Sequence, residues 1–295
     1  MVLNEVSGEH KFYCCGARVL LRRGEIKILS EPRVAYCPLL ESLYGIREVD
    51  FEAIKRVIEM KIKNFGFCCE RRIFDPSAVV PYGSSEIIST CMEDNLIECG
   101  VMVCEGAGTV ITANPKLVQE IGARLTGIIR TSPVGGIMEY IKSRGGIILD
   151  EGGARISQEE GVFRAVEMGY RRIAVTVAGF NAISMRKIRQ IEKERGLEVA
   201  IFSVCNTCVS EEDAKVIASE ADVVCASASQ IIRKTVGPRA LMQLGIAIPV
   251  FALTRLGKKL LLSYLNRFED KIVVFRTANL PYIVKHRGPK LREKT

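Results

Sequence analysis

The sequence predicts an α/β protein: a mostly parallel, open sheet of the doubly wound, Rossmann-like kind, flanked by helices and preceded by a small α+β N-terminal unit. Three observations lead there. From about residue 98 onward, short β-branched runs alternate with amphipathic stretches. The runs are apolar almost throughout, as strands buried on both faces are. The stretches between them begin on serine and end on glycine, as helices do. Such alternation builds a parallel sheet with helices on both faces.

The elements follow in order. RVLLRRGEIKILS (18–30) alternates apolar and polar residues around Arg23-Gly24, as a hairpin does. FEAIKRVIEMKIKNFG (51–66) carries apolar residues at helical spacing and stops at Gly66, and SSEIISTCMEDNLI (84–97) reads as a second helix capped by Ser84 or Ser85. These define an N-terminal unit over 1–80, an α/β domain over 81–280 and a basic, flexible tail over 281–295, with the first boundary near Pro76 to Gly83. The apolar runs of the α/β part are GVMVC (100–104), GIIRT (127–131), GIILD (146–150), RIAVTV (172–177), EVAIFSV (198–204), DVVCA (222–226), IPVFAL (248–253) and KIVVFR (271–276). Between them, Ser157 with Glu160 and Ser210 with Asp213 resemble helix N-caps, while Gly169, Gly196 and Gly245 sit where helices should stop. Eight runs also admit a closed (β/α) barrel, the alternative architecture. Their starts lie only about 20 to 26 residues apart, tight against the roughly 250 residues typical of that fold, so the open sheet is preferred.

At 295 residues and 48% hydrophobic content the chain builds a real core. No window approaches about 18 uninterrupted apolar residues, and MVLNEVSGEHK has no apolar h-region, so a cytoplasmic protein without membrane contact is expected. Eleven cysteines are an odd number and include the adjacent pairs Cys14-Cys15 and Cys68-Cys69, which argues against a secreted disulfide framework. A reducing, anaerobic cytosol tolerates such thiols and permits thiolate ligation of an iron–sulfur cluster or zinc. Abundant Lys, Arg and Glu with no Trp lean towards a thermophile. The net charge of +8 suggests nucleic acid until its location is considered: half of the excess sits in KHRGPKLREKT at the C-terminus. No alternation of aromatic and basic residues accompanies it, so nucleic-acid binding is disfavoured.

Ligands of open parallel sheets bind outside the carboxyl ends of the strands, where helix N-termini point their free N–H groups. The residues expected there are Cys104 with Glu105, Gly106, Gly108 and Thr109; Ser132 with Gly135; Gly179; Cys205 and Cys208; and Cys225. Gly106, Gly108, Thr109, Ser132, Gly135 and Gly179 are the candidates for holding a small anionic group, a phosphorylated or carboxylated metabolite or a nucleotide. Neither G-x-G-x-x-G nor a P-loop occurs. Glu105 has no histidine nearby in sequence, and His10 and His286 lie near the termini, which disfavours histidine metal sites and Ser-His-Asp hydrolysis.

The Cys205-x-x-Cys208 spacing has three readings: a metal clip, a redox dithiol ahead of the helix opened by Ser210, or two small buried residues. A clip needs further thiolates, from Cys104, Cys225, Cys37, Cys68 or Cys69. Cys91 and Cys99 fall on an amphipathic helix or its end and read as core.

YCPL (36–39), FGFC (65–68), SEIIST (85–90), VCEGAGTVIT (103–112), GIIRTSP (127–133), YRRIAVTVAG (170–179) and IPVFALT (248–254), taken together and in order, resemble the methanogenesis marker protein 8 family. The resemblance implies an archaeal, anaerobic cytoplasm, partners among proteins of methane metabolism and a part in maturing its central enzyme; it supplies no catalytic residues. The family pattern includes cysteines at the positions of Cys37, Cys68 and Cys104, which ranks these above the CxxC pair. The expectation is an accessory or maturation protein that binds a metal or iron–sulfur centre through Cys37, Cys68 and Cys104, with Cys205, Cys208 or Cys225. An enzyme for a small anionic metabolite and a non-catalytic, partner-binding subunit are the alternatives, and a homo-oligomer is compatible with each.

Overall fold

The computed structural model describes residues 5–77, 82–123, 127–284 and 287–292. The expected boundary at Pro76 to Gly83 falls partly outside the described residues, as do Lys285, His286, Glu293 and Lys294 of the tail.

Two successive hairpins open the chain: β1 (Glu9–Cys14), β2 (Ala17–Arg22) and β3 (Glu25–Ile28). Their turns, Cys15-Gly16 and Arg23-Gly24, have φ of 50°, 80°, 47° and 82°. Two successive left-handed residues make the mirror-image turn whose twist matches that of the strands. The expected Arg23-Gly24 hairpin is therefore present, and a second one precedes it. After β4 (Val34–Tyr36) and α1 (Pro38–Tyr44), α2 (Phe51–Phe65) forms with Asp50 accepting from the Ala53 N–H and ends on Gly66 at φ 64°. Its buried stripe of Ile54, Val57, Ile58 and Ile62 packs with Phe12, Val19 and Leu21 of the hairpins.

The α/β part runs α3 (Ser84–Glu93), β5 (Cys99–Cys104), β6 (Gly108–Thr112), α4 (Pro115–Gly122), β7 (Gly127–Arg130), α5 (Gly135–Ser143), β8 (Ile147–Ile148), α6 (Gln158–Glu167), β9 (Arg172–Ala178), α7 (Ile183–Arg195), β10 (Glu198–Val204), α8 (Glu211–Glu220), β11 (Val223–Cys225), α9 (Gln230–Thr235), β12 (Met242–Leu244), β13 (Val250–Ala252), α10 (Arg255–Asn266) and β14 (Lys290–Leu291). The main sheet has eight strands in the order β12-β13-β11-β10-β9-β5-β6-β8. Its centre, β11-β10-β9-β5, is parallel, and only β6 and β13 run against the others. The sheet is open and no barrel closes.

Strand alternation sorts side chains to the two faces. Ile173, Val175, Val177, Val199 and Ile201 meet α6, α7, α8 and α9 on one side. Ala174, Ala200, Phe202 and Met102 meet α3, α4, α5 and α10 on the other. The Ser210 cap forms as expected, its hydroxyl accepting from the Asp213 N–H, whereas Ser157 makes no side-chain cap and Glu160 pairs with Arg155 instead. Among the described residues no helix is long and apolar enough to cross a membrane.

Four runs depart from expectation. GIIRT forms β7, which leaves the main sheet and pairs antiparallel with β1, so one strand of the N-terminal sheet β3-β2-β1-β7 comes from the middle of the chain. CEGAGTVIT is a β5–β6 hairpin rather than a strand-to-helix turn, because Gly106 (φ 78°) and Gly108 (φ 72°) let the chain reverse at once. The stretch before Gly245 is strand β12, not a helix end. KIVVFR is unpaired, with Val273 87% and Val274 82% exposed. The edge it would extend is β12, whose Gln243 side chain already bonds the Tyr282 backbone, donating to its O at 2.7 Å and accepting from its N–H at 2.9 Å. Beyond that point the basic tail is anchored: β14 pairs with β4, and Arg292 donates to the Val49 and Arg33 carbonyls at 2.6 and 2.8 Å.

Candidate functional site

The chain winds outward from β5 through β6 to β8 in one direction and from β9 through β10 to β11 in the other. Diverging connections leave a crevice at such a switch point, outside the carboxyl ends of the central strands. Here that edge is covered by the N-terminal sheet. Tyr13 of β1 packs on Phe180 after β9, with ring centroids 5.2 Å apart. At the β1–β2 turn the Gly16 carbonyl accepts from the Cys208 thiol at 3.5 Å, and Gly127 of β7 approaches Cys205 so closely that a Cβ there would stand 3.4 Å from its Sγ. The carboxyl edge is therefore an internal junction.

Buried charge lies inside it. Glu105, the first residue of the β5–β6 turn, is fully buried and accepts from Arg72 Nε at 2.5 Å. Burial opposes the Arg72 cation, but the Glu105 carboxylate beside it, helped by Cys104 and Cys68, holds its pKa above the usual arginine value. The same guanidinium lies over the Phe74 ring, 4.8 Å from its centroid, and donates from Nη1 to the Ile73 carbonyl. Its Nη2 is buried with no hydrogen-bond partner among the described residues.

His10, 0% exposed, completes this interior. Its Nε2 lies 2.6 Å from the Ser7 carbonyl, which only accepts, so Nε2 carries the proton. Its Nδ1 then accepts from the Thr131 hydroxyl at 2.6 Å, and Thr131 Oγ1 in turn accepts from the Gly106 N–H at 2.7 Å. The relay ties the turn bearing Glu105 to β1. Burial lowers the His10 pKa, although the Ser7 carbonyl and the Glu105 and Glu9 charges act the other way.

The thiols surround these groups. Cys104 ends β5, and Cys68 and Cys69 follow α2; all three are buried. Burial, and then the Glu105 charge, push Cys68 and Cys104 well above the usual thiol range, and burial moves Cys69 to about 11. After β10, Cys205 is pushed up to about 12 by burial and by Cys225, while burial also raises Cys208 and Cys225. The Cys14 thiol is lowered and the Cys15 thiol raised, each first by the other and then with burial acting on both, and the Lys61 charge acts on both and on Cys205. Cys37 stands at the N-cap position of α1 without a side-chain capping bond, and acts on Cys15. Cys15, Cys68 and Cys205 have left-handed backbones, φ 50°, 62° and 55°. Each such non-glycine residue costs on the order of 1–2 kcal/mol, and strain of this kind gathers at functional sites.

The residues expected to take an anion are engaged within the protein. The Gly106 N–H bonds Thr131, a Cβ on Gly108 would lie 2.3 Å from the Ala154 carbonyl oxygen, and buried Thr109 donates to Gln158 and accepts from the Ser157 N–H. Ser132 both donates to and accepts from the Glu9 backbone at 3.0 Å. Gly135 opens α5, where the Gly136 N–H meets the chain's own Glu70 carboxylate at 2.5 Å. Gly179 packs under Asn206, which joins the loops after β9, β10 and β11 through the Cys225 and Ser203 carbonyls. Of the expected metal ligands, Cys208 lies against the Gly16 carbonyl, while Cys104 acts electrostatically on Cys68, Cys225 on Cys205 and Cys37 on Cys15. Among the described residues no three His, Cys, Asp or Glu side chains converge closely enough to hold one ion. His10, Lys61, Arg72 and Glu70 were not among the expected site residues. Arg72 had a signal, lying three residues beyond Cys69; His10 had none, since its distance from Glu105 in sequence hides their approach.

The comparisons with known proteins agree on one relationship. Residues 10–266 match the model of a family described as uncharacterized proteins conserved in archaea (DUF2099). An uncharacterized protein of Methanocaldococcus jannaschii is 37% identical over 268 residues, covering 90% of this chain and 93% of that protein.

Proposed function

For a chain that belongs to the archaeal family of uncharacterized conserved proteins (DUF2099), we propose an accessory or maturation role in methane metabolism, exercised by binding a soft metal ion or iron–sulfur centre at the thiol-lined junction. The carrying observation is the gathering of the cysteines. Cys104, Cys205 and Cys225 end or follow strands at the carboxyl edge of the main sheet, Cys208 meets the β1–β2 turn, and Cys15, Cys68 and Cys205 hold left-handed backbones. Soft thiolates suit iron–sulfur clusters, zinc and copper(I). Because burial keeps these thiols protonated, a cation is the agent that converts them to ligands, with release of protons. The thiols do not form a ready coordination set. Capture therefore requires Cys68, Cys104, Cys205 and Cys225, with Cys37 or Cys208, to close on the ion. A site that reorganises on binding holds its ligand less tightly than a preformed one, which suits transfer to a client better than permanent retention. The methane link rests on the motif resemblance and on the methanogen-named relative.

The test is anaerobic reconstitution with ferrous iron and sulfide, and separately with zinc, read as metal per chain and by absorption. Stoichiometric uptake is expected, tighter at pH 8.5 than at pH 6.5 because protons must leave. A Cys68→Ser/Cys104→Ser chain should lose it and a Cys91→Ser/Cys99→Ser chain should keep it. Equal uptake by the two variants, or none by the wild type, would sink the proposal.

One observation favours a second reading, a small anionic metabolite: the buried Arg72 Nη2, which has no acceptor among the described residues. A thermal shift with inorganic phosphate or a small carboxylate that disappears in Arg72→Met would support it over thiolate chemistry.

A further inference from the structure

We propose that the chain pairs with a second copy of itself through the segment DKIVVFR (270–276), the two segments running antiparallel about a two-fold axis at Val273. The proposal uses no residue of the thiol-lined junction and does not rest on that reading.

Residues 269–279 are all exposed, and 271–277 pass without a helix, turn or bend. From Asp270 to Arg276 no N–H or carbonyl group makes a backbone hydrogen bond among the described residues. A straight, unpaired run rich in β-branched residues is a template for a further strand. The segment is tethered at both ends, which lowers the cost of ordering it. Its start follows α10, anchored by buried Leu260, Leu261 and Tyr264. At its far end the Phe275 ring meets that of Tyr282, with centroids 5.1 Å apart, and Gln243 holds the Tyr282 backbone.

The sequence supplies its own complement. With Val273 opposite its own copy, Ile272 stands across from Val274, Lys271 from Phe275 and Asp270 from Arg276, each pair occurring twice. Side chains alternate along a strand, so one side of the ribbon carries Asp270, Ile272, Val274 and Arg276 and the other carries Lys271, Val273 and Phe275. The apolar pairs lie at the centre and the opposite charges at the ends. Opposite charges and apolar pairs directly across from each other stabilise such a ladder, and like charges weaken it. A slip of one residue sets Lys271 against Arg276, and the reverse slip sets Asp270 against Phe275. Asp270 and Arg276 are both exposed, and Arg267, the cation preceding them, is already taken by Glu93 and Asp94. An interface that meets itself in this way closes at two copies instead of growing into a fibre. A two-stranded ribbon is marginal by itself, so the dimer should be reversible and depend on concentration.

The experiment is sedimentation velocity of the full chain over a wide range of concentration. The wild type should pass from monomer to dimer as concentration rises, and the dimer should weaken as salt screens the exposed end pairs. Asp270→Arg and Arg276→Asp each set like charges opposite one another, so each variant alone should stay monomeric. An equimolar mixture of the two variants should restore the dimer, because every end pair then joins an arginine to an aspartate. Both positions are exposed and outside the cores, so neither change should disturb the fold. A wild type that stays monomeric throughout, dimerisation of Asp270→Arg alone at wild-type strength, or a mixture that fails to associate overturns the proposal.

Discussion

His10 shows how one buried side chain ties proton chemistry to stability. In the folded chain it is neutral, giving its Nε2 proton to Ser7 and accepting from Thr131 at Nδ1, and burial holds its pKa below the ordinary 6.5. The unfolded chain therefore binds more protons between the folded value and 6.5. Stability is full above about pH 6.5, declines as pH falls through that window and levels off once the folded form also protonates. Melting curves from pH 8 to 5 should show this decline, and His10→Gln should flatten it. At pH 7 the same substitution should cost roughly 1–3 kcal/mol, because Ser7 or Thr131 is left without a buried partner. An unchanged pH slope in His10→Gln would assign the acid sensitivity elsewhere. Burial also explains why sequence spacing was a poor guide to this residue: closeness to the chain end says nothing about closeness to Glu105 once β1 runs through the interior.

At the scale of an element, the start of α5 illustrates how the protein disposes of its own helix termini. The first N–H groups of a helix attract anions, and Gly135 was expected to offer them to a ligand. Glu70 instead reaches across from the segment after Cys69, accepting from the Gly136 N–H and from the Ser7 hydroxyl. Glu70→Ala should cost about 1 kcal/mol, the usual worth of a helix cap, and Glu70→Gln less, since the hydrogen bond survives and only the charge is lost. Urea denaturation of the two variants measures the difference; equal losses would mean that charge alone matters there. Elements set by local chemistry were legible in the sequence: α2 between Asp50 and Gly66, α8 behind Ser210, and the long central strands β9 and β10. Elements set by distant pairing were not. GIIRT has the same apolar character whether it joins the main sheet or β1, and KIVVFR looks like a strand although it is exposed and joins no sheet among the described residues. The candidate site followed the same division. The strand-end positions of Cys104, Cys205 and Cys225 were legible, while the cover brought by β1, β2 and β7 and the charges of Lys61 and Arg72 depended on long-range contacts.

On the scale of the whole molecule, the C-terminal return holds the N-terminal unit against the main sheet. After α10 the chain passes β12, where Gln243 fixes the Tyr282 backbone, and Pro281 packs on Gly237. It then crosses to pair β14 with β4 and to place Arg292 on the Val49 and Arg33 carbonyls. β4 leads directly into Cys37, and Arg33 supports the turn that carries Cys15. One short ladder and a few hydrogen bonds contribute little each, about 0.5–1.5 kcal/mol apiece, but together they tie the C-terminal return to the N-terminal unit. A chain ending at Gly288 keeps both cores and loses β14 and Arg292. It should melt only a few degrees lower, since each kilocalorie shifts a domain of this size by about 2–4 °C. Cys37 and Cys15 should nevertheless alkylate several-fold faster in that chain, while Cys91 and Cys99, in cores that the return does not touch, should keep their wild-type rates. Mass-spectrometric mapping of thiol labelling over time reads all four at once. Acceleration confined to Cys15 and Cys37 places the closure at the β4–β14 ladder; uniform acceleration would mean that the return stabilises the fold as a whole and that the junction has no separate closure.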